Sequence, residues 1–356
     1  MAEYDFSEGF KRLSDAVNGT SDGIPFCAQM HEFSMQHRGV SARDFYSTAD
    51  HLVRGPIEAA LEYGFDAPDL CWDVYNTEAE ALGQKVVFFE DRAPACDHSE
   101  PLIKTAADLA KLKAPDPHSA GRMPVVFESM RLFEELTGET PTASFTAPLT
   151  LATQLVGFEK LVYFIFRKPD FVREILAFIT EEVLAPYIKA VLAEFPGTPT
   201  ADLSDAISSP PFLTVEMLEE FSIPYILRLR ELCGDKVVVQ NWWGDSRVDD
   251  LEKFLGLKLK VCPKFLKCQD PDLDKVGAER IKAFAEANDV ALIFGLSNNL
   301  LHDGPAEAIE ERIKHYMEVG GGNGRFILYL CSLSAQTPPE HVRAAIAAVK
   351  KYRYAG

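Results

Sequence analysis

Short apolar runs recur along the chain, each closed by polar or turn-forming residues, and longer segments with helical spacing lie between them. The runs at 23–29, 65–69, 140–145, 200–203, 236–240, 257–261, 290–294 and 326–330 predict strands, which makes eight. Helical spacing is found at 44–63, 214–233, 274–288, 305–319 and 338–352, and at 149–194, where Pro169-Asp170 should separate two helices. Residues 72–125 are less regular. They read as an excursion with a turn at 79–83 and a small hairpin near 85–89. Strands alternating with helices at this length predict a parallel (β/α)8 TIM barrel over residues 1–356, with an N-terminal excursion and extra helices. No Gly-x-Gly-x-x-Gly follows a strand, so a dinucleotide fingerprint is absent.

A barrel enzyme collects its functional groups from the carboxyl ends of its strands. The first predicted strand ends at Gln29, His31 and Glu32, the second near Asp69 and Trp72, and the third at Ser144 and Thr146. The fourth ends at Asp202, Ser204 and Asp205, and the fifth at Gln240, Asn241 and Trp243. The sixth gives Cys262 and Lys264, the seventh Ser297 and Asn298, and the eighth Cys331. All three tryptophans (Trp72, Trp242, Trp243) follow predicted strands, which suggests an aromatic-walled pocket for a flat apolar ligand. The ordinary role of a single Trp is core packing, and that of a lone thiol such as Cys331 is to act as a small hydrophobe.

Charge narrows the partners. A net charge of -18 argues against nucleic acid, because phosphate binding needs clustered Lys and Arg. No apolar run approaches the roughly 18 residues of a membrane span, and the first residues lack a signal peptide pattern. Seven cysteines without a CxxC fit reduced thiols, so a cytoplasmic protein is expected.

Several motifs together resemble the uroporphyrinogen decarboxylase superfamily. They are Gly64-Phe-Asp66, Glu78-Ala-Glu-Ala-Leu-Gly83, Phe145-Thr-Ala-Pro-Leu-Thr150 with Gly157, Ser208-Ser-Pro210, Glu220-Phe-Ser-Ile-Pro-Tyr225, Gly295, Gly304-Pro305 and Thr337-Pro-Pro-Glu340. The resemblance implies a (β/α)8 barrel and one of two chemistries: decarboxylation of a large acidic tetrapyrrole, or methyl transfer involving the cobalt of a separate corrinoid protein. Decarboxylases of that family carry arginines at the first strand to clamp carboxylates. Here the stretch reads Gln29-Met-His-Glu-Phe33, with no arginine before Arg38. The chain therefore looks like the corrinoid-dependent methyltransferase branch.

Thiol-activating members of that branch hold zinc with His-x-Cys after strand five and a Cys after strand eight. The corresponding positions read Asn241-Trp242-Trp243, and Cys331 alone matches. Zinc is thus uncertain. A rearranged set of Cys331, His31 and a carboxylate would be needed to hold it. The favoured expectation is O-demethylation of a small aryl methyl ether, with a proton donor at the ether oxygen. His31, Asp202 and Asp205 are the candidate acids, with Asp202 and His31 leading, and Cys331 is a ligand or a wall. Gln29, Trp72, Asp205, Gln240, Asn241, Trp243 and Asn298 are the expected substrate contacts. A quaternary amine donor, a decarboxylase with another substrate and a non-catalytic ligand-binding barrel remain the alternatives. No Asp-x-His-x-x-Gly is present to ligate cobalt, so cobalamin is expected on a partner corrinoid protein.

Overall fold

The computed structural model describes residues 2–70, 72, 73 and 75–353; Cys71 lies outside the described residues. Among the described residues nine strands form, here β1 (Phe26–Ala28), β2 (Val86–Val87), β3 (Ala95–Cys96), β4 (Ala143–Thr146), β5 (Ala201–Ser204), β6 (Val237–Gln240), β7 (Phe265–Gln269), β8 (Ala291–Leu296) and β9 (Phe326–Leu330). Two parallel sheets, β4-β5-β6 and β1-β9-β8-β7, make the wall of the predicted barrel, and β2 and β3 form an antiparallel hairpin. The register pairs Asp202 with Val238 and Ser144, and Gly295 with Tyr329 and Gln269.

The predicted strand at 65–69 does not form; the segment bends at 66–67 and lies beside β1 in the place of the eighth stave. Asp66 N–H donates to Phe26 O at 3.1 Å, and Phe26 N–H returns a bond to Asp66 Oδ2 at 2.7 Å. Pro68 has no amide hydrogen to continue the pairing.

The predicted strand at 257–261 is instead the end of a helix, Leu251–Val261, and the strand lies at Phe265–Gln269. Leu257, Leu259 and Val261 alternate with Lys258 and Lys260, which imitates a strand. Most buried positions (Leu251, Phe254, Leu255, Lys258, Val261, with Leu257 beside them) instead follow helical spacing, and Asp250 caps the first turn through Lys253 N–H at 3.0 Å. Lys258 hid the period because it is a lysine on the buried face. Its ammonium bonds both oxygens of Asp245 (2.7 and 2.9 Å) and Lys267 O (2.6 Å).

The same shift moves Cys262 and Lys264 away from the carboxyl ends, because both precede β7. Cys262 packs with Phe265, Ala291, Ile293 and Ile327 against Leu13, Ala16 and Val17 of the helix Ser7–Asn18. That helix packs near the amino ends of β7, β8 and β9, opposite the end where barrel enzymes bind ligands.

Pro169 begins a new helix as predicted, and a second break falls at Gly157, whose φ of 86° suits glycine. Among the described residues no single helix is long and apolar enough to cross a membrane.

Candidate active site

At the carboxyl ends of the strands lies a cavity of about 580 Å³ that holds Gln29, His31, Trp72, Asp205, Gln240 and Cys331 in its wall. These six of the expected site residues come together. Four others do not reach it. Asp202 lines a second, inner cavity of about 190 Å³. Asn241 is fully buried in the wall, Trp243 packs against Phe254 in the core, and Asn298 is exposed at the start of the helix Asn298–Asp303.

Asn241 closes a seam that has no backbone ladder. Its Oδ1 accepts Lys267 N–H of β7 at 3.2 Å, and its Nδ2 donates to Lys258 O of the helix Leu251–Val261 at 3.1 Å, so the amide ties the end of β6 to both. With Asn241 and Trp243 turned into the wall, Trp242 is the residue of that loop that faces the cavity. Its indole stacks on Tyr329 at 5.6 Å between ring centres, and the Lys267 ammonium sits 5.5 Å from the ring centre. Gly295 makes room beside it. A Cβ there would lie 2.4 Å from Cys331 Sγ and 3.1 Å from the Trp242 ring. Strand alternation could have selected Trp242: Val238, Gln240 and Trp242 fall on one face.

Asp205 follows β5 and is buried. Thr150, in the helix Pro148–Val156 after the adjacent β4, donates its hydroxyl to Asp205 Oδ1 at 2.7 Å, and Ser208 N–H adds a bond at 3.2 Å. Asp205 Oδ2 meets no donor. Burial pushes this carboxyl above its ordinary pKa, while the Thr150 and Ser208 bonds hold it back. The loop carrying it leans on the loop after β6, where Ser209 Oγ accepts Gly244 N–H at 2.7 Å.

His31 opens the helix His31–Arg38 after β1. Gln29 approaches His31 Nε2 at 2.5 Å and also accepts the Ser332 hydroxyl at 2.9 Å. An amide donating to Nε2 places the proton of a neutral imidazole on Nδ1, and that atom meets no partner. Glu32 beside it accepts the Tyr46 hydroxyl at 2.5 Å.

Beneath the mouth, Gln240 and Trp242 line both cavities and partition them. Gln240 Nε2 donates to Asp202 Oδ2 at 3.3 Å, and the Lys267 ammonium lies 3.8 Å from the same oxygen. Asp202 therefore belongs to an inner polar layer with Asp69, whose carboxylate accepts the Tyr329 hydroxyl.

The rearranged zinc set does not assemble. Among the described residues no three His, Cys, Asp or Glu side chains converge to hold a metal ion. Cys331 is buried, and desolvation pushes its thiol far above the ordinary range, with Lys267 as the opposing charge. Burial thus favours the neutral thiol at this position.

Comparison with known proteins places this site in context. The family model described as Uroporphyrinogen decarboxylase (URO-D) matches residues 10–352. Two similar proteins, each named Uroporphyrinogen decarboxylase, come from Anaeromyxobacter dehalogenans (24% identical, 82% of this chain and 82% of that protein) and Erwinia tasmaniensis (26% identical, 87% and 86%). Among solved structures, a methyltransferase from Methanosarcina mazei superposes with a TM-score of 0.78 at 20% identity, covering 97% of this chain and 99% of the other. At that identity the likeness speaks for the barrel fold.

Proposed function

As the chain belongs to the uroporphyrinogen decarboxylase family, we propose that it is a methyltransferase of that family. In this reading it moves a methyl group from an aryl methyl ether in the mouth cavity to the cobalt of a corrinoid carried by a separate protein. The observation that carries the reading is Asp205 Oδ2, a buried carboxyl oxygen without a donor, in a cavity walled by Trp72 and Trp242. A phenolate is a poor leaving group, so a proton must reach the ether oxygen as the methyl carbon leaves. Cobalt(I) supplies the electron pair for the new carbon–cobalt bond. The electrons of the broken C–O bond stay on oxygen, and the proton on Asp205 Oδ2 gives the phenol.

Asp205 takes the role expected of Asp202, because Asp202 lies under Gln240 in the inner cavity. Thr150 and Ser208 hold the carboxylate left after transfer. Cys331 and Gly295 shape the wall. Clamping a polyanionic tetrapyrrole is disfavoured. Gln29 and His31 stand at the end of the first strand, and Arg38 is paired with Glu58 and Asp50.

The test is methyl-cobalt absorbance on mixing the protein with reduced corrinoid and 1,2-dimethoxybenzene, together with detection of the phenol. Formation of both supports the reading. Carbon dioxide release from an aromatic acid without corrinoid, or turnover confined to methylamines, contradicts it.

A further inference from the structure

The mouth cavity carries charge that proton transfer leaves unused. Arg247 and Lys275 are its lining residues of Lys or Arg type, and neither meets a carboxylate within ion-pair reach among the described residues. Arg247 ends the short turn Asp245–Arg247 after β6, and Lys275 lies in the helix Asp272–Val276 after β7. Ser246 ties these segments together by donating its hydroxyl to Asp272. Each acid on the same wall accepts at least one hydrogen bond. Glu32 is held by Tyr46, Asp73 by Arg122 (2.7 Å) and Asn76 (2.6 Å), Asp272 by Ser246, and Asp205 by Thr150.

We infer that the cavity takes an aromatic carboxylic acid, with its ring against Trp242 and its carboxylate at Arg247 and Lys275. This rests on the proposed function and deepens it, since the methyl donor becomes a methoxylated aromatic acid. A guanidinium fork matches the two oxygens of a carboxylate, and the lysine adds a second charge. The chain's charge of -18 opposes anions at long range. That field is screened beyond about 8 Å at physiological salt, so local cations decide the outcome at the mouth. A cavity of about 580 Å³ is ample for a substituted benzoate. A neutral methoxybenzene would leave both cations without a partner.

Equilibrium binding tests this without corrinoid or turnover, so a failure of methyl transfer leaves the readout intact. Benzoate and benzyl alcohol are titrated into the wild-type protein and into the Arg247→Ala/Lys275→Ala variant, followed by calorimetry, with inorganic phosphate as competitor. Both positions are exposed, so the variant keeps its fold. Benzoate should bind the wild type about tenfold more tightly than benzyl alcohol, and the preference should vanish in the variant. Equal binding of the two ligands by the wild type overturns the inference, as does a preference that survives in the variant. Phosphate displacing benzoate at equal concentration overturns it too, because the site would then hold any small anion.

Discussion

The Thr150 hydroxyl donates to Asp205 Oδ1 at 2.7 Å, which leaves Oδ2 of the same buried carboxyl without a donor at the mouth cavity. One oxygen is anchored and the other is buried without a donor, so the proposed role requires a substrate oxygen to reach it. The Thr150 bond lowers the Asp205 pKa against the larger upward push of burial. An acid works only while protonated, so the rate is full below its pKa and falls as pH rises through it. Thr150→Val removes the lowering bond and should move the falling limb of the rate profile to higher pH, with Thr150→Ser restoring it. An unchanged limb would mean that Asp205 does not set the profile. The variant also strips Ala206 N–H of its acceptor at 3.2 Å, costing about 1–3 kcal/mol of stability.

Glu78 gives a pH dependence of stability. It is buried with both oxygens on Thr146, N–H to Oε1 at 2.9 Å and the hydroxyl to Oε2 at 2.7 Å, and burial raises its pKa to about 7 from 4.5. The folded state favours the protonated form. Its contribution is full below pH 4.5, declines as pH rises to 7, and is constant beyond. Glu78→Gln keeps the shape of the protonated acid and removes the titration. Relative to wild type, the variant should gain on the order of 3 kcal/mol between those limits, measured by urea denaturation at each pH. A constant difference between the two proteins would contradict this.

Much of the barrel was legible because its strands are short apolar runs with polar ends, and six of the eight predicted runs overlap observed strands, while 65–69 lies beside β1 without forming one. The miss at 257–261 has a physical origin. A buried lysine paired with Asp245 broke the helical pattern that apolar residues would have shown. The site was legible at the level of which loops contribute. Orientation was harder to read, because Asn241 and Trp243 turn inward only once the β6–β7 seam must be closed by a side chain. Arg247 and Lys275 lie beyond the strand ends, where inspecting the last residues of each strand could not find them.

That seam can be broken selectively. Lys258 and Asp245 are both buried and bonded to each other. Lys258→Met strands the Asp245 carboxylate and should cost about 3–5 kcal/mol. Adding Asp245→Leu removes the stranded charge and should recover part of the loss. Denaturant midpoints of the two variants check this, and a double variant no more stable than the single one would contradict it.

Crowding at Gly295 offers a steric test. A Cβ there would stand 2.4 Å from Cys331 Sγ and 2.9 Å from Gln269 Cβ. Gly295→Ala should lower stability by about 1–3 kcal/mol and raise KM, with partial relief on adding Cys331→Ala. Cys331→Ala alone should change kcat less than tenfold, because a wall residue acts mainly through binding. A larger loss of kcat in that variant would restore a catalytic role to the thiol.

The central claim is that Asp205, at the mouth, and not Asp202, beneath Gln240, protonates the departing oxygen. Single-turnover methyl-cobalt formation with excess methoxylated aromatic substrate measures it directly in Asp205→Asn and Asp202→Asn, with folding of each variant checked by thermal melting. Removing a general acid costs on the order of 100-fold or more in rate. The account predicts that loss for Asp205→Asn and a change under tenfold for Asp202→Asn. The reverse order, or near-wild-type rates in both, would contradict it.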